Sequence, residues 1–416
     1  MTPILHLLQD TQQAAVAVRR LTDGQKTALL DRLAMVLLEN APAVLTENQR
    51  DLDQISDADP KKDRLRLSPA RLQDLAHSLR QVARLPDPAG LLMAERELQP
   101  GLWLKKLAVP LGVVGVIYES RPNVTVDVAA LCLRSGNGCV LKGGKEADYS
   151  NRALVGLIQA VLREFDVPEA AVQLLPPTRA AVAELLTATR YVDVLIPRGS
   201  ESLIQYVRAN AQIPTIETGA GVCHTYVEQS ADLDMAAQIV VNAKVSRPSV
   251  CNSLDTVLVD AAVADTFLPL LLPDFLAYGV EIFADETAFD ILKQANYTYL
   301  QPARPTDFGR EFLDYKCAIR VVSGPDEALS HIQAYSSKHS EAIVSANQAV
   351  IDRFLTDVDA AAVYANASTR FTDGGCFGLG AELGISTQKL HARGPFALEK
   401  LVTEKWVIVG TGQVRS

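Results

Sequence analysis

Short apolar runs alternate with helical stretches along the first half of the chain, and this alternation constrains the fold more than any other feature. Between residues 111 and 228 the strand-like runs are Val113 to Tyr118, Cys139 to Lys142, Val172 to Leu175 and Val192 to Ile196. Strands and helices that alternate at this spacing form a parallel sheet with helices on both faces. A second unit of the same kind is expected over residues 230–366. The sequence therefore predicts an α/β protein with two parallel sheets.

Length and charge narrow the class of protein further. A chain of 416 residues, 48% hydrophobic and 21% charged, is expected to form two or three globular domains. A formal net charge of −9, without a basic stripe, argues against nucleic acid and anionic membranes as partners. No apolar run approaches the roughly 20 residues of a membrane helix. Nothing at the N-terminus resembles a signal peptide, so a cytoplasmic location is expected.

Polar turns follow three strands of the first predicted sheet, at residues 119–123, 142–145 and 197–200. Parallel sheets bind ligands at the carboxyl ends of their strands, which makes these turns candidate ligand contacts. The sequence contains no G-x-G-x-x-G fingerprint after a strand, no phosphate-binding P-loop and no H-E-x-x-H zinc motif. The expected cofactor site is therefore not of the ordinary dinucleotide-binding type.

One of the six cysteines, Cys251, is a candidate nucleophile. It lies on a short loop just before the strand-like run at 254–259, where Pro248 restrains the chain and Arg247 and Lys244 supply positive charge that lowers a thiol pKa. The alternative is a small buried hydrophobe, and the local sequence leaves both open. The cysteines show no C-x-x-C pairing or zinc-ligand spacing, which predicts a reduced protein without a metal.

Four longer motifs, in order along the chain, carry a family resemblance. They are G-V-I-Y-E-S-R-P-N-V-T at 115–125, R-P-S-V-C-N at 247–252, S-T-R-F-T-D-G-G at 368–375 and G-I-S-T-Q-K-L-H-A-R-G-P at 384–395. On these motifs the sequence resembles the γ-glutamyl phosphate reductases, or glutamate-5-semialdehyde dehydrogenases, of the aldehyde dehydrogenase superfamily. The resemblance implies an aldehyde dehydrogenase-like fold, with two Rossmann-like domains and a small β oligomerisation arm.

The resemblance also implies a reaction. L-Glutamate 5-phosphate is reduced by NADPH to L-glutamate 5-semialdehyde with release of phosphate, through a thioester on Cys251, in the second step of L-proline synthesis. No metal is needed. The implied partners are the small-molecule substrate, a second copy or three further copies of the chain in a homodimer or homotetramer, and a glutamate kinase as a possible supplier of the substrate.

Site residues carry over from the resemblance in three groups. The implied catalytic residues are Cys251 and Asn123, with Asn123 as oxyanion donor or, alternatively, a helix N-cap. The implied NADP contacts are Lys142, Lys145, Gly199, Ser200 and Glu311. The implied substrate contacts are Arg121, Ser368, Thr369, Arg370 and Phe371. For the lysines, the Gly199–Ser200 turn and Glu311, the alternative is an ordinary loop end, cap or surface residue.

The expected domains are an NADP-binding domain at 1–94 and 111–225, a catalytic domain at 226–365, an oligomerisation arm at 95–110 and 396–416, and a substrate loop at 366–395.

Two positions limit how far the roles of family residues can be transferred to this sequence. Cys376 stands where the family usually has an acidic residue, and Glu217 stands where hydrolytic aldehyde dehydrogenases keep a general base; here a structural or substrate-positioning role is expected. A hydrolytic or CoA-dependent aldehyde dehydrogenase, and a catalytically silent scaffold, remain the alternative functions.

Overall fold

The computed structural model describes residues 2–56, 59 and 61–415. The chain folds into two compact units, one formed by Met1–Thr218, Gly378–Gly384 and Leu390–Ser416 and the other by Gly219–Phe377 and Ile385–Lys389. Both contain parallel sheets flanked by helices. The predicted α/β class is confirmed. The functional roles predicted for the domains stay predictions.

Helices make up the start of the first unit: α1 (Pro3–Arg20), α2 (Asp23–Glu39), α3 (Ala41–Leu52), α4 (Lys61–Leu65) and α5 (Pro69–Arg84). Side-chain caps define where several of them begin. The Ser68 hydroxyl accepts from the Arg71 N–H at the start of α5, and Thr22 and Gln25 form a reciprocal capping box on α2. A hairpin follows, β1 (Leu92–Gln99) and β2 (Leu102–Pro110), which pair antiparallel.

A four-stranded parallel sheet organises the rest of the first unit. Its strands are β3 (Val113–Tyr118), β4 (Gly138–Lys142), β5 (Val172–Leu174) and β6 (Val194–Arg198), in the order β5-β4-β3-β6. The intervening helices are α6 (Asn123–Arg134), α7 (Asp148–Glu164) and α8 (Arg179–Thr187), and α9 (Glu201–Asn210) follows the last strand. All six residues of β3 are buried, as expected for a central strand covered on both faces.

The second unit contains a seven-stranded parallel sheet. Its elements are β7 (Cys223–Val227), α10 (Leu233–Val245), β8 (Leu254–Asp260), α11 (Ala264–Ala277), β9 (Glu281–Ala284), α12 (Glu286–Gln294), β10 (Leu300–Pro302), β11 (Lys316–Val322), α13 (Pro325–Tyr335), β12 (Ser340–Val344), α14 (Gln348–Asp357) and β13 (Ala362–Ala365). The strand order is β10-β9-β11-β8-β7-β12-β13. The predicted boundary at 225/226 therefore falls inside β7, whose partners β8 and β12 belong to this second sheet.

The chain ends with β14 (Gly384–Ser386), β15 (Gly394–Phe396) and β16 (Val402–Val409). β16 pairs antiparallel with β2, so that β1, β2 and β16 form one three-stranded sheet. This sheet exposes Trp103, Trp406 and Ile408, with 42%, 52% and 56% of their surface accessible. Among the described residues, no helix is long and apolar enough to cross a membrane.

Candidate functional site

Cys251 lies in the second unit, on the turn that joins α10 to β8. α10 ends at Val245 and β8 begins at Leu254, so the thiol stands three residues before a buried central strand. The cysteine is half-buried, whereas its neighbours Asn252 and Ser253 are 4% and 2% exposed. This is the loop position that the sequence predicted for the nucleophile.

Burial separates the six cysteines chemically. Cys132, Cys139, Cys223 and Cys317 are buried, Cys251 is intermediate and Cys376 is exposed. Loss of solvation raises the pKa of Cys317 to about 12 and the pKa values of Cys139 and Cys223 well above the ordinary value. These three thiols stay protonated at neutral pH, and a protonated thiol is a poor nucleophile.

Asn252 ties the Cys251 loop to the predicted substrate segment. Its amide Nδ2 donates to the carbonyl oxygens of Thr372 at 2.9 Å and Arg370 at 3.3 Å, and its Oδ1 accepts from the Arg370 guanidinium. In return the Thr369 hydroxyl donates to the Asn252 carbonyl at 2.8 Å. Residues 369–372 are therefore fixed beside the candidate nucleophile.

Within this segment the predicted substrate contacts differ in exposure. Ser368 and Thr369 are 5% and 0% exposed, and the Ser368 hydroxyl accepts from the Arg370 N–H. Phe371 is 55% exposed. Arg370 is half-buried, and its Nε donates to the Ser246 hydroxyl at 3.0 Å. The structure thus brings the segment to the loop, with Arg370 and Phe371 more accessible than the two hydroxyl residues.

The sequence predicted that Lys244 and Arg247 supply positive charge near Cys251, and the structure places Lys244 in a different role. Lys244 is fully buried, and its ammonium group donates to the carbonyls of Asp314 and Lys316 and lies 3.8 Å from Asp255. Its charge is directed to these buried acceptors, since an uncompensated buried ammonium group is costly. Burial and the charge of Arg247 lower the pKa of Arg370, and the charge of Cys251 opposes that shift. Arg370 is therefore a cation within electrostatic reach of Cys251.

Glu311 contacts the same region through the backbone. Its Oε1 accepts from the Gly221 N–H at 2.8 Å. A Cβ atom added at Gly221 would lie 1.6 Å from the Cys251 carbonyl oxygen, so the two backbones are in direct contact. The Cys223 thiol donates to that carbonyl oxygen at 3.2 Å. The contact with NADP that the sequence predicted for Glu311 stays a prediction.

In the first unit, Asn123 is the first residue of α6. The N-cap position belongs to Pro122, so the alternative assignment of Asn123 as an N-cap is wrong. The Asn123 amide instead donates to Asp127 Oδ2, one turn further along the helix, at 3.2 Å. Arg121 is half-buried on the turn between β3 and α6, where Ser120 adopts a left-handed backbone with φ of 48°.

Lys142 and Lys145 follow β4 as predicted, but in different surroundings. Lys142 is the last residue of the strand and is half-buried. Burial lowers its pKa, while the carboxylates of Glu146 and Glu119 oppose that shift. Lys145 is exposed on a short 3₁₀ turn at Lys145–Ala147. The two predicted contacts therefore differ in exposure.

Gly199 and Ser200 lie between β6 and α9, where a carboxylate already meets the helix N-terminus. The Ser200 N–H donates to Glu119 Oε2 at 2.8 Å, and a Cβ at Gly199 would lie 2.6 Å from that oxygen. Helix N-termini stabilise anions. The N-terminus of α9, which was predicted to face pyrophosphate, is thus suited to an anion. In this structure the anion is the Glu119 carboxylate.

Glu217 does not have the surroundings of a general base. It is 5% exposed and accepts two hydrogen bonds from the Arg208 guanidinium, one of them at 2.8 Å from Nε. A bidentate ion pair of this kind fixes the orientation of a carboxylate. The structural or substrate-positioning role expected for this residue stays a prediction.

Sequence reasoning missed three residues of these sites: Asn252, Gly221 and Glu119. Asn252 stood within the R-P-S-V-C-N motif, and Glu119 within G-V-I-Y-E-S-R-P-N-V-T, so motif membership was a signal for both. Gly221 gave a weaker signal, as one of two glycines in Gly219-Ala220-Gly221 before a strand.

Comparison with known proteins places the chain in a family. A sequence model of the aldehyde dehydrogenase family matches residues 8–286, and the chain belongs to the aldehyde dehydrogenase family. A relative named gamma-glutamyl phosphate reductase from Legionella pneumophila is 50% identical over 416 residues, which cover 100% of this chain and 99% of the relative. The protein of that name from Chlorobaculum parvum is 52% identical over 413 residues, 99% of this chain and 98% of the relative.

A solved structure agrees with these relatives. The crystal structure of gamma-glutamyl phosphate reductase from Thermotoga maritima has a TM-score of 0.94 and 39% sequence identity, covering 100% of both chains. The resemblance to the γ-glutamyl phosphate reductases that the four motifs predicted is thereby confirmed.

Proposed function

We propose that this chain reduces L-glutamate 5-phosphate with NADPH to L-glutamate 5-semialdehyde, releasing phosphate, in the second step of L-proline biosynthesis. The observation that carries the proposal is the placement of Cys251, a half-buried thiol on the α10–β8 turn that Asn252 joins to residues 369–372. Relatives with the corresponding name match over the full length of the chain.

Cys251 is the nucleophile of the proposed reaction. Its thiolate attacks the acyl carbon, the bond to phosphate breaks, and a thioester forms with phosphate as the leaving group. NADPH, when bound, would supply a hydride, and Cys251 would hold the acyl group first as the thioester and then as the hemithioacetal. That adduct collapses to the aldehyde and regenerates the thiol. Each tetrahedral stage carries an oxyanion, for which the Asn123 amide and the Cys251 backbone N–H are the proposed donors.

Substrate binding requires cations for a phosphate and a carboxylate. Arg370 has the appropriate chemistry, because its guanidinium is oriented by Asn252 and Ser246 and is half-buried. Arg121 is the second proposed cation. The buried hydroxyls of Ser368 and Thr369 support the segment that carries Arg370, and exposed Phe371 adds an apolar contact.

The first unit offers groups that suit a phosphorylated dinucleotide. Lys142 at the end of β4 would contact the adenosine ribose, Lys145 would add charge for a 2′-phosphate, and the Gly199–Ser200 turn would place the α9 N-terminus toward pyrophosphate. The Glu119 carboxylate accepts from the Ser200 N–H, and it would have to move aside for pyrophosphate to take that position. Glu311 is the proposed contact to the nicotinamide ribose.

Glu217 argues for a reductase and against a hydrolase. Hydrolysis of the thioester needs a base that activates water, and the buried Glu217 carboxylate is engaged in an ion pair by the exposed Arg208. A reductase must keep its thioester from water.

Assembly into a homodimer or homotetramer is part of the proposal. The β1-β2-β16 sheet ends in two edge strands and exposes Trp103, Trp406 and Ile408, features that favour pairing with another subunit. A glutamate kinase is the proposed supplier of the unstable acyl phosphate. Action in the cytoplasm is expected.

Phosphate-dependent reduction of NADP⁺ by L-glutamate 5-semialdehyde tests the function. The parent protein should be active, and Cys251→Ser should lose at least roughly 10³-fold in kcat, since a hydroxyl without a strong base is a poor nucleophile. Cys317→Ala is the matched control, because burial raises the pKa of that thiol to about 12; it should keep parental activity. Activity that needs CoA or water in place of phosphate would favour the alternative dehydrogenases. No activity, with an unreactive Cys251, would favour a silent scaffold.

A further inference from the structure

We propose that Glu311 positions the Cys251 nucleophile through the backbone of Gly221. The inference rests on the proposed function, because it assigns Glu311 a role in the same reaction, but it differs from a cofactor contact. The hydrogen bond from the Gly221 N–H to Glu311 Oε1, 2.8 Å long, is the contact through which this residue acts. Both residues belong to the second unit.

The segment that Glu311 holds is packed directly on the nucleophile loop. A Cβ at Gly221 would lie 1.6 Å from the carbonyl oxygen of Cys251, 2.4 Å from its carbonyl carbon and 2.8 Å from its Cα. Only a residue without a side chain permits this approach. A shift of Gly221 therefore changes the space available to the backbone of the residue that carries the thiol.

Glu311 is itself anchored to the strand that follows the nucleophile. The next residue, Phe312, is 8% exposed, stacks on Phe283 with 5.4 Å between ring centroids, and donates its N–H to Asp255 Oδ1 at 3.0 Å. Asp255 is the second residue of β8. The contacts thus form a closed path from β8 through Phe312, Glu311 and Gly221 to the Cys251 loop and back to β8.

Cys223 adds a second contact from the same segment. Its thiol donates to the Cys251 carbonyl oxygen at 3.2 Å. Burial, together with the charges of Glu341 and Asp255, raises the pKa of Cys223 well above its ordinary value, so the S–H donor persists at neutral pH. Residues 221–223 therefore hold the Cys251 backbone by packing at one end and by a hydrogen bond at the other.

If Glu311 positions Cys251 through Gly221, the side chain at position 311 must supply a hydrogen-bond acceptor but need not carry a charge. The Gly221 N–H needs an oxygen acceptor at the position of Glu311 Oε1, and the amide oxygen of glutamine supplies one, whereas alanine does not. Misplacement of a reacting group by about 1 Å costs on the order of 10²-fold in rate. Glutamine should therefore rescue the position of the thiol.

The test compares Glu311→Ala, Glu311→Gln and the control Glu327→Ala. Glu327 likewise accepts from a backbone N–H, that of Ser323 at 2.9 Å. Iodoacetamide labelling of Cys251 is measured without nucleotide, beside kcat and KM in the phosphate-dependent assay. We expect Glu311→Ala to slow labelling roughly fivefold or more and to lower kcat roughly tenfold or more. Glu311→Gln should label within about twofold of the parent, and Glu327→Ala should match it.

Parental labelling in Glu311→Ala, with a loss confined to the KM for NADP⁺, would overturn the inference and leave a cofactor contact. If Glu311→Ala does not fold, Cys223→Ala removes the thiol donor and keeps Glu311 in place. That variant should also label more slowly, and a parental rate would contradict the inference. Labelling does not depend on the substrate, so failure of the proposed reaction would be recognised separately.

Discussion

Replacing Gly221 by alanine is the sharpest perturbation that the structure offers. The new Cβ would stand 1.6 Å from the Cys251 carbonyl oxygen, whereas ordinary contacts begin at 3.4 Å. The difference, 3.4 − 1.6, requires the two backbones to separate by about 1.8 Å. Since a displacement of about 1 Å costs on the order of 10²-fold, kcat should fall at least about 10²-fold.

The phosphate-dependent assay with L-glutamate 5-semialdehyde measures this loss, and a thermal melt of the same samples reports stability. Gly156→Ala is the matched control, because no heavy atom lies within 4 Å of its added Cβ and it sits within α7. It should keep parental activity and gain slightly in stability, as alanine favours helices. If Gly221→Ala kept both parental kcat and parental melting temperature, the close contact with Cys251 would be refuted.

Three further predictions concern labelling, acid and the substrate segment. Iodoacetamide should label only Cys251 and Cys376 rapidly in the native protein, since the other cysteines are buried. Detection of a third rapidly labelled cysteine by mass spectrometry would contradict this. Burial lowers the pKa of His339 to about 4, so its contribution to stability is complete above about pH 6.5 and falls by about 1.4 kcal/mol per pH unit toward pH 4. Urea unfolding of His339→Asn should show a shallower fall with acid than the parent, and an equal slope would be inconsistent with the shift. Asn252→Ala should cost about 2–4 kcal/mol in unfolding free energy, because two carbonyls and a guanidinium lose a partner; a loss below about 1 kcal/mol would show that water replaces the amide.

The first sheet was predictable because its signal is local. β3 has the predicted bounds, Val113–Tyr118, since it is a run of residues that are all buried. β6 was displaced, from Val192–Ile196 to Val194–Arg198. The apolar periodicity did not mark where pairing ends, because Pro197 and Arg198 still align with Ile117 and Tyr118.

The second sheet was harder to predict, because some of its strands do not look apolar. β7 contains His224 and Thr225, both 0% exposed. The Nδ1 atom and the backbone N–H of His224 contact the carboxylate of Glu341 from β12, at 3.0 and 2.8 Å, a partner 117 positions away that no local pattern indicates. The same limit applies to the site. Cys251 was found from its neighbours in sequence, but Gly221 and Glu311 are 90 positions apart, and Asn252 and Thr372 are 120 apart.

Two cysteines of the second unit show how their surroundings assign opposite roles to the same side chain. Cys223 is fully buried, and loss of solvation, reinforced by the charges of Glu341 and Asp255, raises its pKa and keeps its proton in place, so that it serves as a hydrogen-bond donor. Cys251 accepts that bond through its carbonyl oxygen and shares the field of the Arg370 guanidinium. A cation favours a thiolate, and nearby carboxylates disfavour one. Since burial is the largest cause of the raised pKa of Cys223, exchanging the charges around the two positions would not by itself make Cys223 a nucleophile; the greater exposure of Cys251 is needed as well.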